Sequence, residues 1–334
     1  MYGIWCSNVT DIRKEALTEY VKSIISDNEI VLLSLNGDAS FRRYFRVANL
    51  PYIAVDAPPE TQKNREFVFI DKALEKASIR VPKIIAFDLE KGFMLLEDLG
   101  DVTFAKASAG DSQKAFYHKA VEELVKLTDV TFDEKEFSLP LFDEKFIRFE
   151  LSLFDTWMLE KALNVELTAK ERQGLDECYE VLAQNCLLQS QTAMHRDYHS
   201  RNLMVADDTL CMIDFQDMVK GPVTYDLASI VYDCYINLDK ELIEELTEKA
   251  FCLYTSRGVV NGSYADFKKS LLLTSLQRHV KVLGIFCRLS IRDGKDGYLK
   301  DLPRVINYVL NECDCDSRML PLKAVVEKYV KGKF

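Results

Sequence analysis

The segment HRDYHSRNLMVADDTLCMIDFQD, residues 195–217, carries three polar side chains at defined spacings, with apolar runs between the last two. Asn202 follows Asp197 by five residues, and Asp214 follows Asn202 by twelve. The apolar runs LMV and LCMI flank the turn-forming ADDT, so they predict two short strands that bring Asn202 and Asp214 together. A carboxylate within the apolar MIDF costs free energy unless a cation accompanies it, so we expect Asp214 to bind one.

This spacing suits phosphoryl transfer from ATP. One carboxylate must orient the acceptor hydroxyl and accept its proton, and oxygen ligands must hold Mg²⁺ on the phosphates. In protein kinases the carboxylate and an asparagine lie five residues apart on one loop, and a metal-binding aspartate follows. We therefore interpret Asp197 as the catalytic base and Asn202 and Asp214 as Mg²⁺ ligands, with ATP and Mg²⁺ as cofactors. A solvated acidic loop is the structural alternative. Asp226 is interpreted as a carboxylate that caps the next helix and braces the loop.

The composition favours an ordinary globular protein of the cytoplasm. The chain has 334 residues, 48% of them hydrophobic and 29% charged, which predicts two lobes and a sizeable core. It contains no apolar run of about 18 residues that would cross a membrane, and its first residues lack the pattern of a secretory signal. Nine cysteines without a CxxC pair favour reduced thiols. The net charge of −10 argues against nucleic acid as a partner, and no obligatory protein partner is evident.

The two parts of the chain differ in periodicity. Residues 1–100 contain five strand-like runs, VLLSL, FRRYFRVA, YIAVD, PKIIAF and GFMLLED, and helical patterns at 10–26 and 62–77. Residues 101–334 have helical patterns at 113–128, 144–162, 168–187, 239–256, 264–290, 302–312 and 318–331, and only the region around 202–214 predicts strands. These patterns predict an α+β, two-lobed, protein-kinase-like fold. We expect a small antiparallel β-rich N-lobe that binds nucleotide and ends in a hinge, and a larger, mainly helical C-lobe with the catalytic loop and acceptor pocket.

Several N-lobe residues are candidates for ATP binding. The turn that contains Ser40 offers a hydroxyl and backbone N–H groups to phosphates, although an ordinary hairpin explains it equally well. The stretch GFMLLEDLGD predicts a strand that enters the hinge, where backbone groups near Glu97 and Leu99 would bind adenine. Ala54, in the strand YIAVD, is a further candidate for the nucleotide pocket.

The same strand ends in Asp56, where the Val-Ala-Ile-Lys strand of kinases carries a phosphate-binding lysine. A carboxylate there would repel phosphate unless a cation intervenes, so we expect an arginine of the preceding strand to replace the lysine, with Asp56 holding it. Alternation places Arg42 on the opposite face from the phenylalanines of FRRYFR, which makes Arg42 the candidate; solvated arginines are the alternative. His199, two residues after Asp197, is a candidate donor to the transferred phosphate or a residue that stabilises its own loop.

The acceptor is predicted to be a small molecule. Only eleven residues separate Asp214 from Asp226, too few for a regulated loop that supports a peptide, and no APE motif follows. Sugar recognition needs polar groups and often an aromatic face. The candidates for this role are Glu150, Asp155, Trp157, Arg288, Arg292 and Asp293. A core tryptophan and a solvated RDGK turn are the ordinary alternatives.

Together these residues resemble the aminoglycoside phosphotransferase and choline kinase superfamily, and most closely its bacterial anomeric kinases of N-acetylmuramate and N-acetylglucosamine. The matching segments are SFRRYFRV, DAPPE, VPKIIAFDLEKGFMLLEDLGD, HRDYHSRNLM, IDFQD, GPVTYDLAS and VLGIFCRLSIRDGKDGYL. The resemblance implies ATP-dependent phosphorylation of the anomeric hydroxyl of an amino sugar in cell-wall sugar salvage. A kinase of another small hydroxyl substrate (an aminoglycoside, an amino alcohol or a different sugar) would share the catalytic residues. The missing strand lysine leaves a non-catalytic binding module as a third interpretation.

Overall fold

An antiparallel sheet of five strands forms the N-lobe of the computed structural model, which describes residues 11–35 and 42–334. Its elements are, in chain order, α1 (Ile12–Ile25), β1 (Leu32–Ser34), β2 (Arg43–Val47), β3 (Tyr52–Asp56), α2 (Asn64–Lys76), β4 (Ile84–Asp88) and β5 (Phe93–Glu97). The strand order is β1-β2-β3-β5-β4. All five predicted strands and both predicted helices are confirmed.

The two faces of this sheet pack against different cores. Side chains alternate between the faces of a strand, so Phe45 and its ladder partner Ala54 face α1 and pack in one buried cluster with that helix. Ile53 faces the other way and belongs to the core shared with α2 and the C-lobe. Phe45 of the FRRYFR stretch thus packs against α1, whereas Phe41 lies outside the described residues. Arg42 therefore lies on the inner face, toward the second lobe.

The C-lobe is mainly helical. Its helices are α3 (Phe104–Ala107), α4 (Gln113–Val125), α5 (Glu144–Leu153), α6 (Ala169–Leu188), α7 (Tyr225–Val231), α8 (Lys240–Ser256), α9 (Tyr264–Asp293), α10 (Leu302–Glu312) and α11 (Leu320–Val325). Wider π-helical turns continue α5 over Phe154–Ala162 and α11 over Val326–Val330, and short 3₁₀ helices cover Gly110–Ser112, Lys126–Asp129, Asp296–Asp301, Cys313–Cys315 and Ser317–Met319. None of the helices in the described residues has the length and apolar content needed to cross a membrane.

The longest helix, α9, organises the C-lobe. It has 30 residues and contributes to the lobe's main buried cluster together with α5, α6 and α10. Gly284 lets it approach α5 closely, because a Cβ atom at this position would lie 2.2 Å from the backbone carbon of Leu153. This close contact fixes how α9 packs against α5.

Four short strands flank residues 195–202 and 213–218, which carry Asp197, Asn202 and Asp214. The expected pair around residues 202–214 is confirmed as β7 (Leu203–Ala206) and β8 (Thr209–Met212), which are antiparallel. The sequence patterns missed a second antiparallel pair, β6 (Gln191–Met194) with β9 (Val219–Pro222). These strands have four residues each, and β9 carries a glycine and a proline, which are depleted in strands and conceal its pattern.

Candidate active site

The loop between β6 and β7 is held by two buried carboxylates. Asp226 accepts hydrogen bonds from the backbone N–H groups of His195 (2.6 Å) and Arg196 (2.9 Å). Asp233 accepts one from the N–H of Ser200 (2.9 Å). The expected bracing role of Asp226 is confirmed, but its capping role is wrong: the N-cap of α7 is Thr224, without a side-chain capping bond. Both Asp226 oxygens bond to the loop instead.

The three residues of the predicted catalytic set meet at one place. The side-chain amide of Asn202 donates to the backbone oxygen of Asp197 (3.0 Å), and the N–H of Ile213 donates to the backbone oxygen of Asn202 (3.1 Å). Asp214 has a φ of 65°, in the left-handed region. Asp214 is exposed, although its neighbours Met212 and Phe215 are buried. Its backbone turns the carboxylate toward the space between the lobes.

Asp197 carries its negative charge in cationic surroundings. Burial raises the pKa of this carboxyl, but the nearby cations Lys281 and Arg196 oppose it and help to hold the pKa below its ordinary value. The carboxylate is therefore ionised at neutral pH and able to accept a proton from a bound hydroxyl.

A cleft of about 470 Å³ lies between the lobes beside this set. It is lined by the inner face of the sheet, the hinge and the segment after β8: Leu35, Arg42, Tyr44, Arg46, Ile53, Phe67, Pro82, Leu96, Glu97, Asp98, Leu99, Gly100, Asn202, Met204, Ile213, Asp214, Phe215 and Gln216. Its volume and largely apolar lining suit a nucleotide-sized ligand. The cleft thus brings the predicted metal ligands together with Arg42 and the hinge residues.

At the hinge, the side chain of Glu97 is occupied. Its carboxylate forms an ion pair with Arg80. The N–H of Glu97 donates to the backbone oxygen of Lys83 (2.9 Å), and that of Asp98 donates to the backbone oxygen of Pro51 (3.0 Å). The N–H of Leu99 has no hydrogen-bond acceptor among the described residues. A ligand in the cleft would therefore meet the Leu99 amide rather than the charged side chain of Glu97.

Arg42 lies in the cleft, on the face that alternation predicted. It is only 4% exposed, and its guanidinium donates to Asn64 Oδ1 and Gln216 Oε1, both at 3.3 Å. The guanidinium carbon lies 4.9 Å from the centre of the Phe67 ring. These contacts hold the cation between α2 and the segment that follows Asp214, so the alternative of a solvated side chain is wrong for Arg42.

Asp56 faces away from the cleft. It is fully buried, and its carboxylate accepts from Arg13 (2.8 and 2.5 Å) and from Arg43 (3.0 and 2.5 Å). Two arginines therefore neutralise the carboxylate on the outer face of the sheet, so Asp56 does not oppose phosphate in the cleft. Asp56 does hold an arginine of the preceding strand, but it is Arg43 and not Arg42. Ala54 shares this outer face, so its side chain lies in the core with α1 and not in the cleft.

His199 lies next to Asp197 with little freedom. Its ring packs edge-on against Tyr235, with 5.2 Å between ring centres. Burial lowers the pKa of His199 below its ordinary value, against the raising effect of Asp233 and Asp197. Its Nδ1 is buried without a hydrogen-bond partner among the described residues. Ser40, the other proposed phosphate-binding side chain, lies outside the residues that the structure describes.

The candidates for acceptor binding are dispersed. Glu150 is 2% exposed and bonded to Arg196 and Lys281 inside the C-lobe, not on an accessible surface. Trp157 is half-buried in the π-helical turn, with the Lys161 ammonium 3.9 Å from the centre of a ring. Arg288 is also half-buried, and its Nε has no partner among the described residues.

The remaining candidates have local partners. Asp155 accepts from Arg172 (2.8 Å) and from the Tyr179 hydroxyl (2.9 Å). Arg292 and Asp293 form an exposed pair with each other. Arg288 alone among the six keeps a buried donor atom without a partner in the described residues.

Sequence reasoning did not single out the buried cations of α9. Arg278 is 2% exposed and Lys281 is 4% exposed, and both are close enough to Asp197 to influence its electrostatics. They are one helical turn apart and interrupt the apolar run LLLTSLQRHVKVLGIF. Charged residues inside an otherwise apolar helical pattern were the available signal, because burial of a charge requires a partner.

Comparison with known proteins identifies the family. The model of the phosphotransferase enzyme family matches residues 31–258. A protein of Pseudomonas putida named N-acetylmuramate/N-acetylglucosamine kinase is 35% identical over 312 residues, covering 90% of this chain and 91% of the relative. A protein of Neisseria meningitidis with the same name is 31% identical over 326 residues, covering 95% and 96%.

A solved structure supports the fold. A choline/ethanolamine kinase family protein from Mesorhizobium loti has a TM-score of 0.62 at 14% identity, covering 93% of this chain and 99% of that protein. At this identity the likeness confirms the two-lobed kinase-like fold alone. The family model and the two relatives, which align over most of both chains, show in addition that this chain belongs to the phosphotransferase enzyme family.

Proposed function

We propose that the protein transfers the γ-phosphate of ATP to the anomeric hydroxyl of an amino sugar, N-acetylmuramate or N-acetylglucosamine or both. The convergence of Asp197, Asn202 and Asp214 at a nucleotide-sized cleft carries the proposal. Two relatives that share more than 30% identity with this chain supply the acceptor. We further propose that the reaction takes place in the cytoplasm and serves the reuse of cell-wall sugars.

The residues of the cleft fit a nucleotide with Mg²⁺. Carboxylate and amide oxygens are the ligands that Mg²⁺ prefers, and Asp214 and Asn202 would provide one of each. The side-chain nitrogen of Asn202 donates to the backbone oxygen of Asp197, which leaves the amide oxygen of Asn202 available to a cation. Bound Mg²⁺ would neutralise charge on the phosphates. Backbone groups of Glu97 and Leu99 would hold the adenine, and Arg42 would contact the phosphates.

Asp197 supplies the base. As an ionised carboxylate it accepts a hydrogen bond from the acceptor hydroxyl and so orients the oxygen toward the γ-phosphorus. The oxygen forms its bond to phosphorus while the bond from phosphorus to the β–γ bridging oxygen breaks. Asp197 takes the hydroxyl proton, and ADP leaves with the bridging oxygen. His199, beside the carboxylate, is the proposed donor to the transferred group.

The position of Arg42 bears on the binding-module interpretation, which rested on the missing strand lysine. A cation does lie on the inner face of the sheet, next to the segment that carries Asp214. In place of the lysine–glutamate pair of kinases, Arg42 is paired with Asn64 of α2. Arg42 thus supplies the cation whose apparent absence motivated the binding-module interpretation.

An acceptor panel tests the proposal. ADP release would be measured with N-acetylmuramate, N-acetylglucosamine, choline and an aminoglycoside, and loss of the sugar's reducing end would report phosphorylation at the anomeric position. We expect turnover with the amino sugars. Asp197→Asn should lower kcat by about 10²- to 10⁴-fold and leave ATP binding unchanged. Turnover with choline or the aminoglycoside alone would refute the acceptor, and wild-type kcat in the variant would refute the base.

A further inference from the structure

The catalytic loop contains a residue with an unfavourable backbone conformation. Arg196, directly before Asp197, has a φ of 78°, in the left-handed region that is unfavourable for a non-glycine residue. Such a conformation persists only when its surroundings enforce it. Because Arg196 and Asp197 share a peptide bond, whatever enforces this conformation also sets the direction of the Asp197 side chain.

The Arg196 side chain is anchored at three points. Its Nη2 donates to Glu150 Oε1 (3.0 Å), and its Nη1 donates to the backbone oxygen of Asp217 (3.4 Å). The guanidinium carbon lies 4.9 Å from the centre of the Phe146 ring. The anchor with opposite charge is Glu150, on α5.

Glu150 accepts from four donors. Besides Arg196, Lys281 donates to Oε1 (3.3 Å), while Gln277 (3.1 Å) and the Tyr225 hydroxyl (3.4 Å) donate to Oε2. Lys281 also donates to the Tyr225 hydroxyl (2.7 Å). Burial raises the pKa of Glu150, but the two cations hold it below its ordinary value, so the carboxylate stays charged.

Stability alone does not account for this cluster. Replacement of a buried ion pair by apolar side chains is often neutral or stabilising, because removal of the charges from water is costly. This cluster joins α5, α7 and α9 to Arg196, the residue with positive φ in the loop between β6 and β7. Its effect is to set the position of that loop. The cluster fixes where Arg196 lies, and Arg196 fixes where Asp197 points.

We propose that Glu150 is a positioning residue, which holds Arg196 in its left-handed conformation and thereby aims Asp197 at the acceptor hydroxyl. This role rests on the proposed function. In many protein kinases the corresponding arginine pairs with a phosphorylated side chain of a regulated loop. Here its partner is a permanent glutamate, so the loop is assembled without any added charge.

Glu150→Gln tests the proposal, because it keeps the shape of the side chain and removes its charge. Arg196 and Lys281 then remain as neighbouring cations that repel each other. We expect kcat to fall on the order of 10- to 100-fold, since small misplacements of a catalytic group have effects of this size. The KM for ATP should not change, because the cleft is not rearranged. Steady-state kinetics and thermal unfolding would be measured on the same preparations.

Glu312→Gln is the matched control. Glu312 is also buried and also pairs with α9, where it accepts from Ser275 (2.6 Å) and from His279 (2.9 Å). Burial lowers the pKa of His279, but Glu312 outweighs this effect and the pKa rises to about 10, so the imidazole carries a positive charge at neutral pH. The control should lower the Tm and leave kcat unchanged. If both variants lose only Tm, Glu150 has a structural role and the proposal is wrong.

Tyr225→Phe tests the positioning role of Glu150 if Glu150→Gln does not fold. It removes one hydroxyl that contacts both Glu150 and Lys281, and no charge. A several-fold lower kcat at unchanged ATP KM is expected, and wild-type kcat would overturn the proposal. The ratio of variant to wild-type kcat is taken with whichever acceptor the wild type uses. Failure of the amino-sugar assignment is therefore visible in the wild type, separately from failure of the positioning role.

Discussion

Two aspartates that follow apolar stretches in different sheets have different partners and therefore different roles. Asp56 ends β3 and Asp214 follows β8, and both are embedded in apolar sequence, IAVD and MIDF. Asp56 is fully buried and accepts hydrogen bonds from two arginines. Asp214 is exposed to the cleft and accepts one, from the neutral side chain of Gln216 (2.8 Å). A carboxylate already neutralised by protein cations has a structural role, whereas one that keeps its charge in a cleft is available to a bound cation.

The same substitution at both positions should separate these roles. Asp214→Asn removes a proposed Mg²⁺ ligand, so we expect turnover to fall on the order of 10³-fold, because metal-borne charge stabilisation is worth several kcal/mol. Asp56→Asn should leave kcat unchanged and lower the free energy of unfolding by about 2 kcal/mol. This loss is below the about 3–5 kcal/mol of a fully buried pair, because Arg13 and Arg43 remain partly in water. Kinetics and urea unfolding of both variants measure the contrast.

The assignment of these two roles is wrong if Asp56→Asn impairs turnover and Asp214→Asn does not. An Asp56→Asn protein with wild-type stability and impaired ATP turnover would place Asp56 at the phosphates. An Asp214→Asn protein with full activity would remove Asp214 from the metal site.

Arg42 and Arg43 are neighbours in sequence that lie on opposite faces of the N-lobe sheet, so the same substitution at each should have a different effect. A charge-assisted hydrogen bond is worth about 1.5–3 kcal/mol, so Arg42→Ala should lower kcat/KM for ATP roughly 10- to 100-fold. Arg43→Ala, one residue away on the outer face, should lower the Tm without changing that ratio, since its partner is Asp56. Equal kinetic effects of the two substitutions would show that the face of the strand does not decide the role.

The parts of the site that are local in sequence could be predicted. Asp197, Asn202 and Asp214 lie on one loop and one strand pair, so their spacing along the chain determines their approach in space. Strand alternation likewise placed Arg42 on the inner face. The error on Ala54 arose because the same alternation was not applied to the next strand.

Residues brought together by tertiary packing could not be predicted. Arg13 reaches Asp56 from the N-terminal helix, 43 residues away in sequence. Glu150 and Lys281 meet beneath the catalytic loop although 131 residues separate them. Their helices show which residues are buried, but the rotation and approach of α5 and α9 depend on side-chain packing across the whole lobe.

Asp71 of α2 is a buried carboxyl that forms no ion pair within the described residues, and its substitution should have the smallest effect on turnover. It is 2% exposed, its Oδ2 has no hydrogen-bond partner among the described residues, and burial raises its pKa to about 8 from 3.8. Between these values the unfolded chain releases the proton while the folded protein retains it. Stability should therefore fall as the pH rises through this window and level off above pH about 8. Asp71→Asn removes the titration, so its Tm should exceed the wild-type value at pH 8 and vary less between pH 5 and 9, with kcat at pH 7 unchanged. A variant that retained the wild-type slope would show that the buried carboxyl is not the source of this pH dependence.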